Sequence, residues 1–287
     1  MKVKKAVIPT AGLGTRFLPV TKAMPKSMLP IIDTPTIDYI IDEIIASGIE
    51  EVIIITSHNT SVIENHFAKN SSLEERLLLD GKHDLYQIAV KTHSRIKTTF
   101  VKQTVLNGLA GALLCAEEYI GNEPFALLLG DEIIYTESGK TPCIKQLIDS
   151  YSSSGKTVIA TMKVADSDVN KYGNIGVKTD GIVKEVYALK EKPSNEEKLS
   201  NYAVIGRYVV AEGVMPLLKN LKPKGSEIIF TDALDVLASS GKLVATEFDG
   251  IRYDVGDKLG YVQATVEYAL RNEVLGSAVA KFIKEKV

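Results

Sequence analysis

A chain of 287 residues, 45% hydrophobic and 24% charged, is long enough for one large α/β domain or two modest ones, at about 100 to 200 residues per domain. Its 34 Lys plus Arg and 36 Asp plus Glu leave a formal net charge of -2, so no global field draws in nucleic acid or an anionic membrane, and a polyanion has to be met by a local site. The longest apolar runs, residues 52–55 and 125–129, fall far short of the roughly 18 residues that span a bilayer.

In chain order, residues 5–9 form a short apolar run ending in Gly12 and Gly14, which reads as a buried first strand followed by a glycine-rich turn. Ile37, Ile40, Ile41, Ile44 and Ile45 recur at helical spacing over 36–47, Gly48 ends that helix, and 52–56 is the next strand. A helical stretch from Thr60, a strand at 97–102, a helix over 108–119 and an apolar strand at 125–129 continue the alternation. Beyond Gly130 the chain is richer in β: 157–164, 173–178, 182–190 and 202–210 alternate or run apolar between glycine turns. A polar loop covers 193–200, and 258–271 and 273–286 read as closing helices. The pattern predicts an α/β fold, a mostly parallel, doubly wound sheet flanked by helices, with ligands beyond the carboxyl ends of its strands.

Cys115 and Cys143 have neither metal nor redox spacing and read as structural thiols. The basic stretch at Met1–Lys5 leads to Pro9 and glycines rather than to a cleavage site, so the expected location is cytoplasmic. His58, His66, His83 and His93 join no nucleophile or metal constellation and read as structural or surface residues.

Two phosphate-loop readings fail on spacing. Gly12-Leu13-Gly14-Thr15-Arg16-Phe17 has Phe where the dinucleotide fingerprint needs a third glycine, and no acid follows the second strand. Gly139-Lys140-Thr141 and Gly155-Lys156-Thr157 lack the leading glycine of a Walker motif and read as surface turns. What remains is a glycine turn followed by Thr15, Arg16, Lys22 and Lys26, whose backbone N–H groups and cations suit a nucleoside triphosphate. On spacing alone a solvated loop is the competing reading.

Gly12-Leu13-Gly14-Thr15-Arg16-Phe17-Leu18-Pro19 with Thr21-Lys22-Ala23-Met24-Pro25-Lys26 resembles the signature of the sugar-phosphate nucleotidylyltransferases. Leu129-Gly130-Asp131, Tyr172-Gly173, Glu191-Lys192-Pro193, Ile205-Gly206-Arg207-Tyr208, Thr231-Asp232-Ala233-Leu234 and the segment from Arg252 to Tyr261 extend the likeness, in order, to the bacterial UTP:glucose-1-phosphate uridylyltransferases. The resemblance implies a Rossmann-like nucleotidyltransferase fold, a mostly parallel mixed sheet flanked by helices. It also implies Mg2+ dependence and formation of UDP-glucose from UTP and glucose 1-phosphate. A single domain over 1–287 is expected, with a nucleotide-binding half near 1–135 and a sugar-phosphate half with the C-terminal helices at 136–287.

By the same resemblance, Arg16, Lys26 and Lys192 are the catalytic cations, and Ala11, Gly12, Gly14, Thr15, Gln103 and Gly108 hold the nucleotide. Gly173, Glu191 and Lys192 hold the sugar phosphate, and Asp131 and Asp254 hold the metal. The residues support these roles unevenly. Asp131 follows the most apolar strand, where a carboxylate faces the ligand crevice. Gln103 offers an amide donor and acceptor to a base edge, or is simply an exposed strand end. Glu191 and Lys192 project to opposite faces of an extended segment unless the backbone turns, and such a triplet is commonly a solvated loop. Glu227 and Asp232 read as caps for a helix starting at Thr231 or Asp232. Val266, Ala269 and Leu270 form an apolar stripe, either core or the face of a homo-oligomer, a dimer or tetramer.

Three positions depart from the family pattern. Ser27 stands where the family usually has Glu, which removes a carboxylate expected beside the nucleotide. Gly108-Leu109-Ala110-Gly111-Ala112 replaces Gly-Leu-Gly-His-Ala, and Gly130-Asp131-Glu132 replaces Gly-Asp-Asp. The alternatives to UDP-glucose synthesis are the same chemistry with another base or sugar, and a weakly active regulatory paralogue.

Overall fold

The computed structural model describes residues 1–57, 61–179 and 181–286, so His58, Asn59 and the expected helix start at Thr60 lie outside the described residues. The strands in chain order are β1 (Lys5–Pro9), β2 (Pro30–Ile31), β3 (Thr34–Pro35), β4 (Glu51–Thr56), β5 (Lys97–Lys102), β6 (Phe125–Leu128), β7 (Glu132–Tyr135), β8 (Thr157–Lys163), β9 (Gly173–Val177), β10 (Val183–Glu191), β11 (Tyr202–Val210), β12 (Leu243–Glu247) and β13 (Ile251–Asp254). Among the described residues nine of them form one sheet in the order β5-β4-β1-β6-β11-β8-β12-β10-β9.

The sheet is mixed. β5, β4, β1 and β6 are mutually parallel, as are β8 and β12, while β11 runs antiparallel to both β6 and β8 and β10 antiparallel to β12 and β9. β1, β4 and β6 are buried on both faces, which is why their sequences run apolar instead of alternating, while the edge strand β5 is only partly buried. Val7, Ile53, Ile55 and Leu127 pack on one face and Ile8, Val52, Ile54 and Leu128 on the other. The helix Thr36–Ala46 covers the second face with Ile37, Ile40, Ile41 and Ile44, all fully buried. Each such side chain contributes roughly 1.5–3 kcal/mol of burial.

The chain winds outward from β1 to β4 and β5 on one side, and β6 lies on the other. The carboxyl ends of β1 and β6 thus flank the point where strand order reverses, the crevice in which open α/β sheets bind ligands. The glycine turn leaves β1 there, and Gly130-Asp131 leaves β6. A separate antiparallel ribbon of β7 and β13 pairs Glu132 with Asp254 and so brings the chain after β6 beside the end of β13.

Two expected boundaries shift. The helix over 108–119 is instead a pair, Gly108–Cys115 and Glu117–Ile120. The Ala116 N–H donates to Leu113 O, and this tighter turn redirects the chain so that Ile120 joins Leu113 in the core. The last helix starts at Gly276 rather than 273, because Asn272 Oδ1 accepts the N–H groups of Val274 and Leu275 and holds them in a turn. No helix among the described residues is long and apolar enough to cross a membrane.

Candidate active site

The crevice holds a cleft of about 550 Å³, within the roughly 300–1,000 Å³ that suits small ligands. Ala11, Gly12, Gly14, Thr15 and Lys26 line one wall, and Gln103 and Gly108 line its far end. Gly14 takes φ 63°, and its carbonyl accepts from the Phe17 N–H at 2.9 Å and the Thr21 hydroxyl at 2.8 Å, which fixes the loop after β1. Gly108 opens its helix at φ 88°, where a Cβ would stand 2.9 Å from Ile228 O. Only glycine fits there. The Gln103 N–H donates to Thr56 O at 2.7 Å, so the residue prolongs the β4–β5 pairing and is buried rather than an exposed strand end.

At the middle of the cleft, Lys26 Nζ donates to Asp131 Oδ2 at 2.5 Å. Burial works against ionisation of the Asp131 carboxyl. The charge and hydrogen bond of Lys26, with help from Arg252, overcome it and hold the group below the usual carboxylate range. Asp254 Oδ2 accepts from Arg252 Nη2 at 3.2 Å and its Oδ1 from the Gly256 N–H at 3.0 Å. Arg16 Nη1 donates to Gly256 O at 3.3 Å and closes this end of the loop. A Cβ at residue 256 would stand 2.9 Å from Asp131 Oδ2 and 3.0 Å from Asp254 Oδ1, so the two carboxylates converge on one point. That pair fits a hard divalent cation, which takes one or two carboxylates together with substrate phosphates and water. Among the described residues no cluster of three or more His, Cys, Asp or Glu offers an all-protein cage.

A second, smaller cavity of about 160 Å³ shares Leu129 with the first and is lined by Gly173, Glu191 and Lys192. Gly173 and Glu191 are cross-strand partners of β9 and β10. Lys192 turns the backbone with φ 43°, which settles the question of opposite faces: both Glu191 and Lys192 line the same cavity. Glu191 Oε2 accepts from the Thr231 hydroxyl at 2.7 Å. Asp131 lines the first cleft and, with Arg16 and Lys26, a small cavity beside it. Arg16 also lines a further cavity with Asp254, Lys171 and Tyr172, and the last two also line the Gly173–Glu191–Lys192 cavity, so the expected residues fall along a series of adjoining cavities.

Two expectations are corrected. Ser27 is 1% exposed, is absent from the lining of the cleft, and its hydroxyl has no partner, so its side chain is not part of the cleft surface. Glu227 and Asp232 cap nothing: the helix Phe230–Ser239 has no side-chain cap, Asp232 pairs with Lys224 at 2.8 Å, and Glu227 lines the cleft beside Gly108. Along the expected apolar stripe Val266 and Leu270 are exposed, as are Leu259 and Val262, while Ala269 is half-buried. His66 pairs with Asp38 and His93 with Glu74, both away from the cleft.

The sequence assigns no role to Arg252 and marks Glu132 only as a departure from the family's Gly-Asp-Asp. Glu132 Oε1 accepts from Arg252 Nη2 at 2.5 Å and Oε2 from the Gly206 N–H at 2.7 Å. Arg252 in turn grips Asp254, so these residues set the position of the second carboxylate. Their signal was present in the Arg252-Tyr253-Asp254 and Ile205-Gly206 motifs, as spacing without a partner.

The nucleotidyl transferase family matches residues 5–271. A UTP--glucose-1-phosphate uridylyltransferase from Staphylococcus epidermidis is 44% identical over 286 residues, covering 99% of this chain and 98% of its own. Among solved structures, a UTP-bound UGPase from Acinetobacter baumannii superposes with a TM-score of 0.92 at 35% identity, covering 99% of each chain. A UDP-glucose pyrophosphorylase complexed with UDP-glucose superposes with a TM-score of 0.84 at 35% identity, covering 94% of this chain and 100% of that one. A shared signature loop, fold and near-complete alignment lead to one conclusion: the chain belongs to the nucleotidyl transferase family.

Proposed function

We propose that this chain makes UDP-glucose and pyrophosphate from UTP and glucose 1-phosphate. The observation that carries the reading is that Lys26 and Asp131 line the same cleft as Gln103 and Gly108, that the Asp254 carboxylate converges with that of Asp131 at Gly256, and that a cavity sharing Leu129 with the cleft is lined by Gly173, Glu191 and Lys192. The relatives named for this reaction support it.

The second ionisation of a sugar phosphate lies near about pH 6, so the nucleophile is already a dianion at neutral pH. One of its oxygens attacks the α-phosphorus of UTP in line. A phosphorus–oxygen bond forms as the bond to the bridging oxygen breaks, and pyrophosphate leaves with the electron pair. No proton has to be removed, and among the described residues no histidine lines the two cavities. Catalysis then rests on position and charge.

In this reading the backbone of Ala11, Gly12, Gly14 and Thr15 cradles the triphosphate, and Arg16 and Lys26 neutralise it. Gln103 and Gly108 receive the uracil. Lys192 neutralises the sugar phosphate, Glu191 accepts sugar hydroxyls, and Gly173 lets the ring approach the backbone. Asp131 and Asp254 would hold Mg2+, which supplies charge neutralisation to the phosphates when bound. Residues 1–287 act as one unit, with 1–135 as the nucleotide half and 136–287 as the sugar-phosphate half and C-terminal helices.

The exposed Leu259, Val262, Val266 and Leu270, at helical spacing, support a homo-oligomer, a dimer or tetramer, and the cysteine usage supports a cytoplasmic location. Nucleic acid and membrane are not expected partners. The test is chromatographic detection of UDP-glucose from UTP and glucose 1-phosphate with purified protein and Mg2+, repeated with EDTA. Product that appears with Mg2+ and is abolished by EDTA is expected. No product under any metal condition would overturn the assignment.

A further inference from the structure

We infer that Asn107, in the space opened by Gly111, is a positioning residue that fixes the Gln103 side chain in one amide orientation and so selects a pyrimidine carrying an N3–H. The inference rests on the reading of Gln103 as the residue that meets the base.

Gln103 Nε2 donates to Asn107 Oδ1 at 3.1 Å and to Gly108 O at 3.3 Å. The Gly108 carbonyl can only accept, so the group facing it is the amide NH2, and the Asn107 atom facing that same NH2 is its carbonyl oxygen. Both protons of the Gln103 amide are therefore spent inside the protein. Among the described residues no group takes Gln103 Oε1, and the residue lines the cleft. The orientation leaves the cleft an acceptor. Uracil presents a donor at N3 where cytosine presents a lone pair, so an acceptor held opposite N3 favours uracil, and the cytosine 4-amine could meet it only from a shifted position of the ring.

Asn107 is held to this task from three sides. Its carbonyl accepts the Ile228 N–H at 2.8 Å, its own N–H donates to Val105 O at 2.9 Å, and its side chain lies over the helix Gly108–Cys115 at residue 111. A Cβ on residue 111 would stand 1.8 Å from Asn107 Oδ1 and 2.8 Å from its Nδ2. Any side chain at 111 evicts Asn107. The glycine that replaces the family's usual residue is thus the condition for this arrangement, and the departure at 111 and the Asn at 107 act as one device.

The test compares kcat/KM for UTP and CTP across five proteins. Asn107→Leu keeps the shape but removes the acceptor, so the Gln103 amide is free to turn and the UTP-over-CTP preference falls about tenfold or more, mostly through the nucleotide KM. Asn107→Asp keeps an acceptor for Nε2 and retains the preference. Gly111→Ala displaces Asn107 and lowers the preference as Asn107→Leu does, yet unfolds at an equal or higher temperature because alanine suits a helix better. The KM for glucose 1-phosphate stays near the wild-type value in all of these. Gln103→Ala separates the two readings. If Gln103→Ala lowers the preference and Asn107→Leu does not, the role of Asn107 is overturned alone. If Gln103→Ala leaves the preference intact, the base-reading assignment and this inference fall together.

Discussion

The carboxylates of Asp131, the residue that immediately precedes β7, and Asp254, the last residue of β13, meet at Gly256, which has no side chain. A Cβ on Gly256 would stand 2.9 Å from Asp131 Oδ2 and 3.0 Å from Asp254 Oδ1. The β7–β13 register, Asp254 opposite Glu132, sets the meeting, and Lys26 and Arg252 hold the two groups from either side. Gly256 has no positive φ, so a change there acts on the carboxylates and not on backbone strain.

Gly256→Ala is therefore expected to fold normally and to lose roughly 100-fold in kcat, the scale of an ångström-sized misplacement of reacting groups. Circular dichroism and initial rates at saturating UTP and glucose 1-phosphate check it. Near-normal turnover would remove the carboxylate pair from the reaction centre.

The pH profile separates substrate from protein. Because Lys26 outweighs burial and keeps the Asp131 carboxyl below its ordinary range, the pair is intact at neutral pH. Its contribution to stability is present above the unfolded value of about 3.9 and is lost only as the pH falls through the lower folded value. The acid limb of kcat/KM for glucose 1-phosphate should then lie near about pH 6, where the sugar phosphate takes its second proton. With a methylenephosphonate analogue, a weaker acid, the limb moves upward. A limb that stays in place would assign it to a protein group.

Arg207 carries no exposed surface and forms a pair with Glu43 Oε2 at 2.9 Å, while its Nη2 also donates to Glu132 O at 3.0 Å. Removing one member leaves a buried charge without its partner. Arg207→Met should cost about 3–5 kcal/mol in urea unfolding, and Glu43→Leu with Arg207→Met should recover much of that loss. A single variant as stable as the parent would show the pair to be dispensable.

Ser27→Ala should leave the UTP preference unchanged and raise stability by up to about 1 kcal/mol, since it removes a buried hydroxyl without a partner. A shift in nucleotide preference would return this position to the binding surface.

The parallel strands β1, β4 and β6 were legible because they are buried on both faces and run apolar; the antiparallel β11 at Tyr202–Val210 and the helix Lys258–Arg271 also match their expected bounds. The glycine turn, Gln103 and Asp131, singled out by motif and strand order, line one cleft, and Gly173, Glu191 and Lys192 line a neighbouring cavity. Short ribbons were harder: β7 follows a Gly-Asp step that reads as a turn, and its strand character depends on a partner, β13, more than a hundred residues away. The helix Cys143–Ser154 ends in serines with weak helical preference and is held by the burial of Ile144, Leu147 and Tyr151, a tertiary effect with no strong local signal. Whether Glu191 and Lys192 share a face turned on one dihedral, and no residue pattern announces a positive φ at a lysine. Gly111 looked like a loss until Asn107 was seen in its place.

Pyrophosphate release tests uridylyl transfer to glucose 1-phosphate most directly. Purified protein with Mg2+ would be assayed with UTP, dTTP, ATP, CTP and GTP against glucose, galactose and N-acetylglucosamine 1-phosphates. Turnover concentrated in the pair UTP and glucose 1-phosphate is the expected result. A different productive pair, or silence across the whole grid, would contradict it.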